Sequence, residues 1–118
     1  MKGIEIRLKR IYDRPGREDG LRVLVDRLWP RGMKRADARI DLWAQEFAPT
    51  AELRRWFGHD PDRFEEFRAR YLRELDAHTD ALKQLVDGAN RRNITLVYAA
   101  RDTVFNHAIV LRQFLATM

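Results

Sequence analysis

Two stretches of the chain run apolar and then stop on charge. Leu21-Arg22-Val23-Leu24-Val25 leads into Asp26-Arg27, and Ile94-Thr95-Leu96-Val97-Tyr98-Ala99-Ala100 leads into Arg101-Asp102. Short runs rich in β-branched and aliphatic residues predict buried strands over Leu21–Arg27 and Ile94–Ala100. A third run, Ile4-Glu5-Ile6-Arg7-Leu8-Lys9, alternates apolar and polar as a half-buried strand does. Arg14 to Gly20 carries Pro-Gly and Asp-Gly turn signals and reads as an exposed loop. Trp29-Pro30-Arg31-Gly32 breaks the second strand, because proline cannot donate to a ladder. Asp41 to Phe47 fits either a short strand or one helical turn.

Helical spacing begins after Pro49. Thr50 is the expected N-cap of a helix whose Leu53, Trp56 and Phe57 share a face. Gly58-His59-Asp60-Pro61 ends it and opens the next, with Asp60 as N-cap and Pro61 at the first helical position. Phe64, Phe67, Tyr71 and Leu75 then recur every three or four residues, the core stripe of a long helix. Thr79-Asp80 is expected to cap a third helix carrying Leu82, Leu85, Val86 and Ala89. Asp102 or Thr103 is expected to cap the last, where Phe105, Ala108, Ile109 and Phe114 or Leu115 face inward. The order is strand, strand, a possible strand, three helices, strand, helix. It predicts an α/β fold: a single compact domain over residues 1–118, with a small, mostly parallel sheet flanked by about four helices. The two apolar runs are the expected buried neighbours in that sheet.

Composition narrows the chemistry. The chain has 118 residues, no cysteine and no serine. Disulfides, thiol nucleophiles and a serine nucleophile are therefore excluded. Absent cysteines suit a reducing compartment. No apolar segment approaches the roughly 20 residues that span a bilayer, and the first residues lack a signal-like stretch. The expectation is a soluble cytoplasmic protein with no membrane partner. Three histidines, at 59, 78 and 107, show no ligand spacing, so no metal site and no cofactor is expected.

Charge is uneven. Residues 1–55 hold 14 basic and 9 acidic residues, whereas residues 56–118 hold 9 of each. Arg27, Arg31, Lys34, Arg35 and Arg39 cluster behind the second strand, opposed there only by Asp37. Such a cluster favours an anionic partner, and arginine forks bind oxyanions in pairs of hydrogen bonds. An ordinary solvated loop has the same look.

Ligands in open α/β sheets bind outside the carboxyl ends of the strands. Both charged pairs, Asp26-Arg27 and Arg101-Asp102, belong there. Arg101, Asn106 and His107 could hold an oxyanion while Asp102 orients His107 or serves as base. The competing reading makes Asp102 a helix cap and Arg101 the buried partner of Asp26. His59, in its turn, is a candidate general acid or base, since histidine titrates near neutral pH. The residue set is thus His59, His107, Asp26 and Asp102 for proton transfer, with Arg27, Trp29, Arg31, Tyr98, Arg101 and Asn106 for the ligand.

Val25 to Gly32, Trp56 to Pro61, and Tyr98 to Asp102 with Asn106-His107-Ala108 resemble the DUF488 family, in its YeaO-like branch, from about Ile6 to Leu115. The family is a domain of unknown function, so the resemblance implies a shared site and no particular reaction. Other branches carry cysteines in the last strand-to-helix motif. This chain has Ala, Asp, Asn and His there, so thiol or metal chemistry is not carried over.

Two partner classes follow, with a third beside them. The favoured one is an anionic small molecule, bound or turned over by a small enzyme. The second is nucleic acid on the Arg27–Arg39 loop, with Trp29 as a stacking platform, although the net charge of +5 is modest. The third is a protein-interaction domain anchored by Trp29 and Trp43. The pattern specifies no oligomeric state.

Overall fold

The computed structural model describes residues 5–118, so Ile4 of the alternating run lies outside the described residues. Four strands, β1 (Ile6–Arg10), β2 (Leu21–Leu24), β3 (Leu42–Trp43) and β4 (Ile94–Tyr98), form one sheet in the order β1-β4-β2-β3. Every pairing is parallel. The helices are α1 (Arg35–Ala38), α2 (Ala51–Phe57), α3 (Phe64–Asp76), α4 (Thr79–Gly88) and α5 (His107–Ala116). The two apolar runs are central neighbours: Leu21 to Leu24 register against Ile94 to Val97, and β4 is buried throughout.

Alternation divides the sheet residues between two cores. Val23, Val25, Ile94, Leu96 and Tyr98 point into the main core with the stripe Phe64, Phe67, Tyr71 and Leu75 and with Leu82, Leu85, Ala108, Leu111 and Leu115. Leu24 and Val97 point the other way, beneath Ile11, Trp29, Met33, Ala38, Ile40 and Trp43. Helices α2 to α5 cover one face, and the Trp29–Trp43 segment, which includes α1, covers the other. Tyr71 is fully buried and its hydroxyl donates to the Phe47 carbonyl. Burial pushes that hydroxyl's pKa well above its ordinary value.

Both central strands end earlier than expected, and their ends explain each other. Val25 still donates to Val97 (3.0 Å), but the next ladder position is taken by a side chain. The Asp26 carboxylate accepts from the Ala99 N–H (3.0 Å), while the Arg10 guanidinium takes the Ala99 and Ala100 carbonyls (3.1 and 2.9 Å). The ladder thus stops at Leu24 and Tyr98, not at Arg27 and Ala100. Asp41 to Phe47 is both things the pattern allowed: strand β3, then a 3-10 turn over Gln45–Phe47.

Caps divide into those that hold and those that move. Thr50 accepts from the Leu53 N–H, and Asp60 from the Asp62 N–H, with Pro61 following. Thr79 instead lies inside α4 and bonds back to the Asp76 carbonyl. Asn106, not Asp102 or Thr103, caps α5 by accepting from Ile109 (3.0 Å). Asp102 caps the turn before it, accepting from Val104 and Phe105. The inward face of α5 is Ala108, Val110, Leu111 and Leu115, with Phe105, Ile109 and Phe114 only half-buried, because α5 packs against both α3 and the β1–β4 side of the sheet.

The Arg14–Gly20 loop is not simply exposed. Asp19 is 1% exposed and Arg22 4%. The Asp19 carboxylate accepts from Arg22 (2.7 Å), Lys9 (2.8 Å) and the Gly16 N–H (3.0 Å). Arg22 also donates to the carbonyls of Ala38 and Arg39, which ties α1 to β2. Gly20 makes the turn possible at φ +64°, where a Cβ would sit 2.1 Å from the Asn93 carbonyl oxygen.

Candidate functional site

Chain direction creates the cleft. After β4 the chain turns into α5 on the β1 side, while after β2 it leaves toward β3. The two connections diverge at the carboxyl edge between adjacent strands, the usual location of a ligand crevice. A cleft of about 810 Å3 lies there. Its walls come from the Asp26–Pro30 turn, the Ala48–Arg55 approach and first turns of α2, and the Ala99–His107 turn.

Eight of the ten candidate residues line it: Asp26, Arg27, Trp29, His59, Arg101, Asp102, Asn106 and His107. Tyr98 does not. It is 3% exposed and shares the inward face of β4 with Ile94 and Leu96, so it is core. Burial raises the Tyr98 hydroxyl pKa, with the Arg10 charge pulling partly back. Arg31 is also absent from the lining. The Pro30–Met33 turn swings it out to solvent, where its carbonyl accepts from Tyr12 (3.4 Å).

Two arginines of α2, Arg54 and Arg55, join Arg27 and Arg101 on the cleft. All four are exposed. None has a carboxylate within 4.0 Å or a side-chain hydrogen bond among the described residues. The expected Arg101–Asp26 ion pair is therefore not formed. Asp26 is instead held by the Ala99 N–H through Oδ2, with Oδ1 lying 3.2 Å from His107 Nε2. That nitrogen is also 3.1 Å from the Val25 carbonyl oxygen, an acceptor, so Nε2 carries the proton in this contact. Asp26 Oδ1 is the buried side-chain oxygen without a hydrogen-bond partner among the described residues.

Asp102 is a positioned carboxylate rather than a buried one. The N–H groups of Phe105 and Val104 hold its pKa below the ordinary value, with a smaller contribution from nearby His59. Its carbonyl accepts from the Asn106 side chain (2.9 Å), which fixes the turn leading into α5. His59 is exposed at the rim in a left-handed backbone conformation, φ 56°. The turn after β2 is pinned from behind: Trp43 donates to the Asp26 carbonyl (2.8 Å) and Gln45 to that of Arg27 (3.0 Å).

Trp29 is not a free platform. It is half-buried, meets Trp43 edge-on at 5.5 Å, donates to the Met33 carbonyl (2.7 Å), and carries the Arg35 guanidinium 4.6 Å above its ring. Trp43 is half-buried too, so neither tryptophan is an exposed anchor. Among the described residues, no group of three His, Cys, Asp or Glu side chains is placed to hold a metal ion. None of their helices is long and apolar enough to cross a membrane.

A family model described as the inactive DUF488-N3 subclade matches residues 5–118. The uncharacterized protein YeaO of Escherichia coli (strain K12) is 43% identical over 115 residues, covering 98% of this chain and 100% of the relative. The uncharacterized protein Rv3073c of Mycobacterium tuberculosis (strain H37Rv) and Mb3100c of Mycobacterium bovis are each 43% identical over 110 residues, 93% of this chain and 92% of the relative. No solved structure matches.

Proposed function

We propose, for a chain that belongs to the DUF488 family in its YeaO-like group, that the cleft binds an anionic small molecule bearing a phosphate or carboxylate. The observation that carries this reading is the convergence of Arg27, Arg54, Arg55 and Arg101 on one cleft, none of them with a carboxylate within 4.0 Å among the described residues. Asp26 and Asp102 share the lining, so the four arginines leave it net cationic. Guanidinium groups with free forks accept oxyanions bidentately. Asp26 is committed to the Ala99 N–H, and His107 shares its Nε2 proton with the Val25 carbonyl, so both read best as parts that shape the cleft. The description of the matching subclade as inactive supports binding over turnover.

Nucleic acid has less support. Arg35 already occupies the face of Trp29, and Arg31 lies away from the cleft. Steep salt dependence of oligonucleotide affinity would favour it.

The test is thermal unfolding of wild type and Arg101→Ala with and without phosphate. Arg101 is exposed and has no ion-pair partner among the described residues, so the substitution is expected to change stability by less than about 0.5 kcal/mol. Phosphate is expected to raise the melting temperature of wild type and to raise that of the variant less. An equal phosphate effect in both, with a large loss of stability in the variant, would make Arg101 part of the scaffold instead.

A further inference from the structure

Resting on the anion-binding reading, we infer that the ligand joins its anionic group to a planar aromatic ring. The cleft, at about 810 Å3, falls within the roughly 300–1,000 Å3 typical of sites for drug-sized ligands. An inorganic oxyanion would leave most of it to water.

The lining is chemically mixed, cationic and apolar. Alongside the arginines stand Leu28, Pro30, Ala48, Pro49, Ala51 and Phe57. None of these side chains can hydrogen-bond, and the two prolines also lack an N–H. Leu28 is 67% exposed, yet it sits on a turn held by the Trp43 and Gln45 side chains. A large apolar side chain kept in that position favours an apolar partner entering the cleft. Ala48 and Ala51 are small, which leaves room beside the prolines.

The arginines decide between a ring and an alkyl chain. A guanidinium plane gains by stacking on an aromatic face and gains nothing comparable from methylenes. This chain uses that contact elsewhere: Arg70 lies 4.4 Å and Arg63 5.4 Å from the Trp56 ring centre. With four guanidinium groups unpaired among the described residues and apolar side chains beside them, a ring bearing phosphate or carboxylate satisfies both kinds of lining residue.

Calorimetric titration with inorganic phosphate, n-hexyl phosphate and phenyl phosphate tests this, with wild type and Leu28→Asn. Phenyl phosphate is expected to bind at least about tenfold more tightly than phosphate and about threefold more tightly than n-hexyl phosphate. Leu28→Asn, at an exposed position, is expected to fold and to lower the ratio of phenyl phosphate to phosphate affinity. Phosphate binding with phenyl phosphate within about twofold of it would overturn the ring and leave the anion site standing. Equal affinity for the hexyl and phenyl compounds would overturn the aromatic preference. No binding of any of the three would remove the anion site and this inference with it.

Discussion

Asp19→Ala is expected to destabilise the fold by about 3–5 kcal/mol, because it leaves the Arg22 guanidinium buried without its counter-charge. Asp19 holds more than one partner. Lys9 reaches it from β1, the Gly16 N–H from the preceding loop, and its own carbonyl accepts from Thr95 of β4 (2.7 Å). Removing the carboxylate therefore loosens β1, β2 and, through Arg22, the end of α1 together, while the Thr95 contact, made to the backbone carbonyl, stays. Denaturant unfolding of both proteins measures the loss. A change below about 1 kcal/mol, the range of exposed ion pairs, would mean that the cluster is not closed from water.

The same carboxylate gives a pH dependence with a definite sign. Burial alone would raise the Asp19 pKa, but hydrogen bonds from Lys9, Gly16 and Arg22 more than offset it and hold the group below its usual value. A carboxylate lowered in the folded state contributes stability above its unfolded pKa, about 3.9 for aspartate, and loses it as pH falls further. The gap in melting temperature between wild type and Asp19→Asn is expected to be full at neutral pH and to narrow below about pH 4. A gap that stays constant down to pH 3 would contradict the assignment.

Phe67→Ala is expected to cost about 3–5 kcal/mol, the usual range for emptying a buried phenyl site. Phe67 is 1% exposed, stacks on Phe57 at 4.3 Å between centroids, and packs on Phe64 and Tyr71. It also lines the cleft, so the lost ring opens a cavity beneath the α2 arginines. The variant is expected to melt lower and also to show a weaker phosphate effect under conditions where it remains folded. Retention of the wild-type melting temperature would mean that the aromatic cluster repacks, which the close stacking argues against.

Fold and site were legible to different degrees, for physical reasons. Periodicity located the core well: Phe64, Phe67, Tyr71 and Leu75 are all buried, and the two apolar runs pair side by side. Strand ends were less legible, because the Asp26 contact to Ala99 and the Arg10 contacts to Ala99 and Ala100 join residues 73 or more positions apart. The burial of the Arg22 side chain was not legible, since nothing in the sequence marks Asp19 and the Ala38 carbonyl as its partners.

The candidate site was placed from strand ends, and residues just past β2 and β4 do line the cleft. Arg54 and Arg55 were missed because they reach the cleft from a helix, beside Leu53, Trp56 and Phe57. The available signal was two cations adjoining the inward face of a helix. Tyr98 was misassigned for the opposite reason. It adjoins the charged motif in sequence, but alternation turns its side chain into the core.

The central claim is that the four cleft arginines bind an oxyanion together. The most direct measurement is a phosphate titration read on the arginine side-chain Nε–H resonances by NMR. Saturable shifts are expected for Arg27, Arg54, Arg55 and Arg101, with Arg68, Arg70 and Arg112, which lie outside the cleft, unaffected. Shifts spread evenly over all exposed arginines, or no saturation, would contradict the account.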